Sequence, residues 1–333
     1  MSTTLWRESR EAQDLRTVRV GVIGVGVMGS NHARVLAELP GIELVGLADP
    51  EGAPAESVAE YLGCRVVRSH RQLIELGVDA VTIAAPTHLH HPIALECIAA
   101  GCHVLVEKPI ASSVEEGQAI VNAARRKGVT LMVGHVERFN PAVDAIKEAL
   151  AGEDILSIAI TRVGPFPPRM SNVGVVIDLA VHDIDLIRWF TDSDIVEVQP
   201  QLASTISTRE DIALLQFRTA SGVLAHINTN WLTPFKARTV HVATKRKYIV
   251  GDLLTRQVSE CFDYRADGSY SMRHLPVGHA EPLRVELMRF LDAARSGEPP
   301  AVSGEEGVAS LEIAIRCLNG SHLAREAPRR AAG

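Results

Sequence analysis

The sequence predicts an α/β protein: a doubly wound parallel sheet, then an α+β domain with an open, mostly antiparallel sheet. Three observations carry that prediction. Apolar strand-like runs alternate with helix-like stretches as far as Gly134. A glycine-rich turn joins the first of these strands to the first helix. Beyond Gly134, strand candidates crowd together without helices between them.

Taken in order, residues 18–23 (VRVGVI) form a β-branched run that ends in glycines, and 32–39 read as a helix. The next strand covers 43–48 and stops at Asp49-Pro50; 80–84, 103–106 and 130–133 are further strands. Helical stretches at 92–100 and 114–127 separate them. Apolar strands alternating with helices require a parallel sheet covered on both faces. Later, a helix follows Pro141 and another spans 176–190. Strand candidates at 155–163, 213–218, 223–231, 239–243 and 248–251 suggest an antiparallel sheet with helices on one face. Helices at 282–296 and 305–324 close the chain. We read 1–16 as a polar tail, 17–137 as the first domain and 138–333 as the second.

The 333 residues suffice for two domains. With 46% apolar and 22% charged residues the chain is neither disordered nor fibrous. Its net charge of −6 argues against nucleic acid as a partner, yet allows a local basic pocket. The five cysteines are scattered without a CxxC, which fits a reducing compartment and offers no zinc spacing. The N-terminal stretch lacks a signal-peptide core, and no run approaches the roughly 18 apolar residues of a membrane span. The expectation is a cytoplasmic protein.

Gly24-Val25-Gly26-Val27-Met28-Gly29 follows a strand and opens a helix, the setting in which GxGxxG binds a dinucleotide. The first glycine permits the tight turn, the second lets backbone approach a pyrophosphate, and the third allows helix–strand packing. The helix N-terminus then presents unpaired N–H groups to phosphate. Asp49, at the end of the second strand, is placed to accept the adenosine ribose hydroxyls and to repel a 2′-phosphate. No arginine immediately follows it, so NAD is favoured over NADP.

Glu107-Lys108-Pro109 follows the strand at 103–106, at the carboxyl edge where open α/β sheets bind ligands. Proline after Lys108 disfavours helix there and permits a cis bond. A lysine held in a closed cleft is a competent acid or base. In IDLAVHDIDLI (177–187), Asp178 and His182 are four apart, one turn from each other on a buried helix face. Asp178 is placed to fix the tautomer of His182 and to raise its pKa. The other reading of the pair is a satisfied core contact without chemistry.

The glycine turn, EKP and the aspartate–histidine helix, in that order, resemble the Gfo/Idh/MocA family of nicotinamide-dependent oxidoreductases. GVIGVGVMGSNHARVL (21–36), APTHLHHPIAL (85–95), EKP (107–109) and DLAVHDIDLIRW (178–189) carry the likeness, which runs from the first strand to the last helix. It implies Lys108, Asp178 and His182 as catalytic residues. Cofactor contacts are implied at the glycine turn, Asp49, Pro86, His90, Glu107 and Lys108. His88, His90 and His91 have no carboxylate or cysteine at ligand spacing, so no metal is expected.

GHVERFNP (134–141), RVGPFPPR (162–169) and NWLTPFKAR (230–238) narrow the likeness to the branch that oxidises nucleotide sugars at C3. The implied substrate is a UDP-hexose such as UDP-N-acetylglucosamine, met by Arg138, Asn140, Arg162, Arg169, His182, Lys236 and Arg238. Arg162, Arg169, Lys236 and Arg238 would form a cationic wall suited to a diphosphate. An inositol, polyol or free-sugar dehydrogenase is one alternative; a non-catalytic NAD-binding regulator is another. The family commonly forms dimers or tetramers, so a homodimer or homotetramer is expected.

Overall fold

The computed structural model describes residues 17–167 and 173–320. Arg169, assigned above to the substrate, lies outside the described residues. The first domain alternates β1 (Val18–Ile23), α1 (Val27–Glu38), β2 (Ile42–Ala48), α2 (Ala53–Leu62), β3 (Arg65–Val67) and α3 (His70–Glu75). It continues with β4 (Ala80–Ile83), α4 (Thr87–Ala100), β5 (His103–Glu107), α5 (Val114–Lys127) and β6 (Leu131–Gly134). All six strands are parallel, in the order β3-β2-β1-β4-β5-β6. Strand order reverses between β1 and β4, which opens a crevice at the carboxyl edge.

β1, β4 and β5 are buried because Val20, Val22, Val81, Ile83, Val104 and Val106 are covered by helices on both faces. α4 starts at Thr87, not at Pro92, and carries that proline in its interior. A proline inside a helix normally costs stability. Here the turn before it is anchored by His90, whose two ring nitrogens lie 3.0 and 2.8 Å from the carbonyl oxygens of Pro109 and Ala85.

A short 3₁₀ turn (Val136–Phe139) leads through α6 (Pro141–Ala149) and β7 (Ile155–Pro165) to a π-helical turn (Val176–Ala180) and α7 (Val181–Thr191). Seven more strands follow: β8 (Ile195–Ala203), β9 (Ile212–Thr219), β10 (Leu224–Asn230), β11 (Leu232–Thr244), β12 (Tyr248–Asp252), β13 (Gln257–Phe262) and β14 (Ser271–Leu275). The chain closes with α8 (Pro282–Ser296) and α9 (Gly304–Asn319). The eight-stranded sheet runs β14-β13-β12-β11-β7-β10-β9-β8, with only β7 and β10 parallel. Ile158, Ile160, Leu215, Ile227, Val240 and Val242 line its inner face and share a core with Ile146, Ile184, Ile187 and Phe190 of the helices. Leu156, Val196, Leu214 and Leu224 project from the sheet and are exposed.

The last two helices return to the first domain. Leu287, Phe290 and Leu291 of α8 are buried in the same core as β1, β4 and β5. α9 divides its contacts: Val308 and Leu311 join that core, while Ile313, Ala314 and Cys317 join the second. Its N-terminus is fixed by a capping box between Ser303 and Glu306.

Candidate active site

The glycine turn lies where β1 gives way to α1. Gly24 sits at φ +85°, and a Cβ there would come within 2.7 Å of the Ala85 backbone. A Cβ on Gly29 would fall 1.8 Å from the Gly24 carbonyl oxygen, whereas Gly26 meets open space. α1 begins without a side-chain cap, so its first N–H groups are left for a ligand. A cavity of about 1000 Å³ opens beside it, lined by Gly24, Gly26, Val27, Ser30, Asp49 and Pro86 among others. Asp49 Oδ2 accepts from Val25 N (2.8 Å) and Oδ1 from Glu51 N (2.9 Å), so its carboxylate is fixed at the cavity wall. An open glycine, an uncapped helix end and a held acceptor fit a dinucleotide. Met28 is partly exposed but does not line this cavity.

Two of the residues expected at the cofactor have their side chains engaged within the protein. His90 is buried with its ring nitrogens beside the two carbonyl oxygens described above, so its side chain braces the crevice loops. Glu107 turns inward: Oε1 lies 2.9 Å from His32 Nε2, and Oε2 accepts from Lys108 N (3.1 Å). It holds the segment that carries the lysine. The Lys108–Pro109 bond is cis.

Lys108 Nζ reaches across to the second domain, donating to Asp178 O (2.7 Å) and Oδ1 (3.2 Å). The expected Asp178–His182 pair does not form, because Asp178 serves the lysine and His182 Nδ1 is enclosed without a partner. The backbone explains this. Residues 176–180 follow the wider π-helical path, so four residues no longer return a side chain to the same face. His182 packs edge-on against His135, with ring centroids 6.1 Å apart. Burial, then the charges of Lys108 and Arg162, pull the His182 pKa well below its ordinary value, opposite to the expected direction. A neutral imidazole beside an ammonium group can accept the proton of an alcohol.

Several of the expected substrate contacts, Arg162 of the cationic wall among them, are engaged inside the protein. Arg138 is buried, makes a two-pronged pair with Asp185 (2.6 and 2.7 Å), and reaches Glu306 at 2.6 Å. Asn140 caps α6 through Ala142 N (3.1 Å) and donates to Leu253 O (3.1 Å). Arg162 is 2% exposed and bound to Asp183 (2.7 Å) and Glu137 (2.9 Å). A burial pattern alone does not show that three polar residues in apolar contexts have partners waiting in distant segments. Arg238 differs. It stands opposite Arg162 across the strands and shares Glu137 at 2.8 Å, with its side chain still 35% exposed. Lys236, two residues away on β11, is exposed and has no ion-pair partner among the described residues.

Residues that sequence reasoning missed include His135, against His182, and Arg68, in the cofactor cavity. His135 lies within the quoted GHVERFNP motif, which was the available signal. A buried cluster also went unseen: His32, Glu107 and Glu286 bring one ligand atom each within 4.8 Å of one another. Both oxygens of Glu286 lack a hydrogen-bond partner. Burial, reinforced by Glu107, pushes the Glu286 pKa well above its ordinary value, so the carboxyl stays protonated. Stability from such a group is complete below the unfolded-state pKa and is lost as pH rises toward the folded value. Glu286→Gln, which cannot ionise, is therefore expected to raise Tm by about 2 °C or more at pH 8 and by nothing at pH 4. Calorimetry at both pH values checks this; an equal gain at both would mean a packing effect.

A doubly wound nucleotide domain, with a lysine at its carboxyl edge reaching a helix of a second α+β domain, defines a dinucleotide-dependent oxidoreductase. Residues 18–135 match the oxidoreductase family with an NAD-binding Rossmann fold, and 156–251 match the Gfo/Idh/MocA C-terminal domain. The chain is 33% identical to an inositol 2-dehydrogenase of Rubrobacter xylanophilus, over 92% of this chain and 91% of that one. It is 29% identical to a UDP-N-acetylglucosamine 3-dehydrogenase of Acidithiobacillus ferrooxidans, over 90% of this chain and 96% of that one. A solved structure of the latter enzyme superimposes with a TM-score of 0.86 at 27% identity, covering 91% of this chain and 97% of that one. The chain belongs to the Gfo/Idh/MocA family and is an NAD-binding oxidoreductase. No helix among the described residues is long and apolar enough to cross a membrane.

Proposed function

We propose that the protein oxidises a secondary hydroxyl of a nucleotide-linked hexose, the C3 hydroxyl of a UDP-hexose such as UDP-N-acetylglucosamine. Bound NAD would supply the hydride acceptor at its nicotinamide ring. His182 takes the hydroxyl proton through Nε2, the ring nitrogen opposite the enclosed Nδ1. Lys108, steadied by Asp178, donates a hydrogen bond to the developing alkoxide or ketone oxygen. Asp178 is thus a positioning residue for the lysine.

The observation carrying the nucleotide-linked reading is the pair Lys236 and Arg238. Lys236 is exposed without an ion-pair partner among the described residues, and the Arg238 side chain keeps 35% of its surface exposed, so both can meet an anion. A diphosphate provides that anion. The second reading, oxidation of an uncharged inositol or free sugar, is favoured by the internal pairing of Arg138 and Arg162 and by the inositol-dehydrogenase relative. Dimers or tetramers formed through the exposed sheet face are part of the same proposal.

Single-turnover absorbance of reduced nicotinamide, with UDP-N-acetylglucosamine, UDP-glucose, myo-inositol and glucose in separate reactions, tests the choice. Signal with a UDP-sugar is expected, and Lys236→Ala with Arg238→Ala should raise KM at least 10-fold, as removal of two charge-assisted contacts implies. Signal confined to the phosphate-free substrates would overturn the nucleotide-linked reading.

A further inference from the structure

The cofactor cavity holds a cation that the linear spacing hid. β3 pairs with β2 in parallel register, Ala48 opposite Val67, and Asp49 N donates to Val67 O at 3.1 Å. Arg68, the next residue, therefore leaves the sheet beside Asp49, and both line the cavity with Pro50, Glu51 and Ser69. Its guanidinium rests on Gly52, where an added Cβ would fall 1.8 Å from Nη1. The backbone there, at φ +62°, also favours glycine.

Arg68 is loosely engaged. Its Nη2 lies 3.3 Å from Glu56 Oε1, with both side chains about three-fifths exposed (61% and 59%). Its Nη1 contact to Pro50 O, at 3.4 Å, is long. Such an exposed pair contributes little and is readily exchanged for a better anion. Asp49 is held more firmly, each carboxylate oxygen accepting one backbone N–H at 2.8 or 2.9 Å. The ribose end of the cavity thus combines a fixed anion with a weakly committed guanidinium, the group suited to phosphate.

We propose that Arg68 is a latent reader of a 2′-phosphate, and that the charge of Asp49 masks it and keeps the protein on NAD. Removing that one charge converts the cavity to an NADP site without any added cation. The inference rests on the cofactor cavity alone and is independent of the substrate.

NADH and NADPH carry the same fluorophore, so the difference in their binding isolates the 2′-phosphate. Titrations of the wild type, Asp49→Asn, Arg68→Ala and the double variant, followed by fluorescence of the reduced cofactor, make the test. Asp49→Asn is expected to tighten NADPH at least 10-fold, with an affinity that falls as salt is raised. The double variant should lose that gain. Equal NADPH affinity of Asp49→Asn with and without Arg68 would overturn the proposal, as would no gain in Asp49→Asn. Asp49→Ser, with a Tm matching the wild type, serves if the asparagine variant folds poorly.

Discussion

Exchanging His182 for asparagine is expected to lower kcat by about 10²–10⁴-fold, the range of a positioned acid–base group, while NAD still binds. Asparagine keeps a polar side chain in the half-buried position but cannot take up the proton. The glycine turn and Asp49 lie on other elements, so cofactor titration should barely respond. Loss of NAD binding with normal turnover at saturation would refute the assignment. The pH profile adds a second check. Because burial and Lys108 depress the His182 pKa, the base stays neutral through the physiological range. The rate should hold level from neutral pH upward and fall only on the acid side, well below the ordinary histidine value. A fall centred near pH 6.5 would point to a more exposed imidazole.

The second large effect concerns stability. Arg162→Met is expected to cost about 3–5 kcal/mol, since it strands buried carboxylates rather than removing a surface charge. Arg162, Glu137 and Asp183 form a buried cluster, with Arg238 at its edge. Burial opposes the Glu137 charge, but Arg162 and Arg238 outweigh it and hold its pKa below the ordinary value. For Asp183 burial prevails and its pKa rises despite Arg162. The cluster is therefore finely balanced, and one arginine fewer leaves two acids for one cation. Thermal unfolding should show a Tm loss of about 10 °C, with much of it restored in Arg162→Met/Asp183→Leu. An unchanged Tm with a raised substrate KM would return Arg162 to the role of a substrate contact.

The fold was largely legible because its signals are local. The strand at 18–23 and the helices at 114–127 and 282–296 have the bounds that periodicity and punctuation indicate. β3, β8, β13 and β14 were not identified, nor were α2 and α3. β8 carries Pro200 with Glu197, Gln199 and Gln201, and as a sheet edge it needs little apolar character. β11 extends back to Leu232 through a bulge before Ala237, which breaks the alternation that marks a strand. At the site, Lys108 was legible from its place after a strand, and Asp49 likewise. What the sequence hides is partnership between distant segments. Nothing near Arg138 announces Asp185, 47 residues away, or Glu306, 168 away. The Asp178–His182 pairing failed because spacing assumes a regular helix, and one wide turn changes who faces whom.

The return of α8 and α9 to the first domain also sets a schedule for synthesis. Phe290 and Leu291 seal the core around β1, β4 and β5, but they emerge from the ribosome about 150 residues after β6. At roughly 5–20 residues per second, the nascent cofactor domain waits on the order of ten seconds with that flank uncovered. A core that opens with β1 is closed only when Phe290 and Leu291 arrive, so its packing is completed late in synthesis.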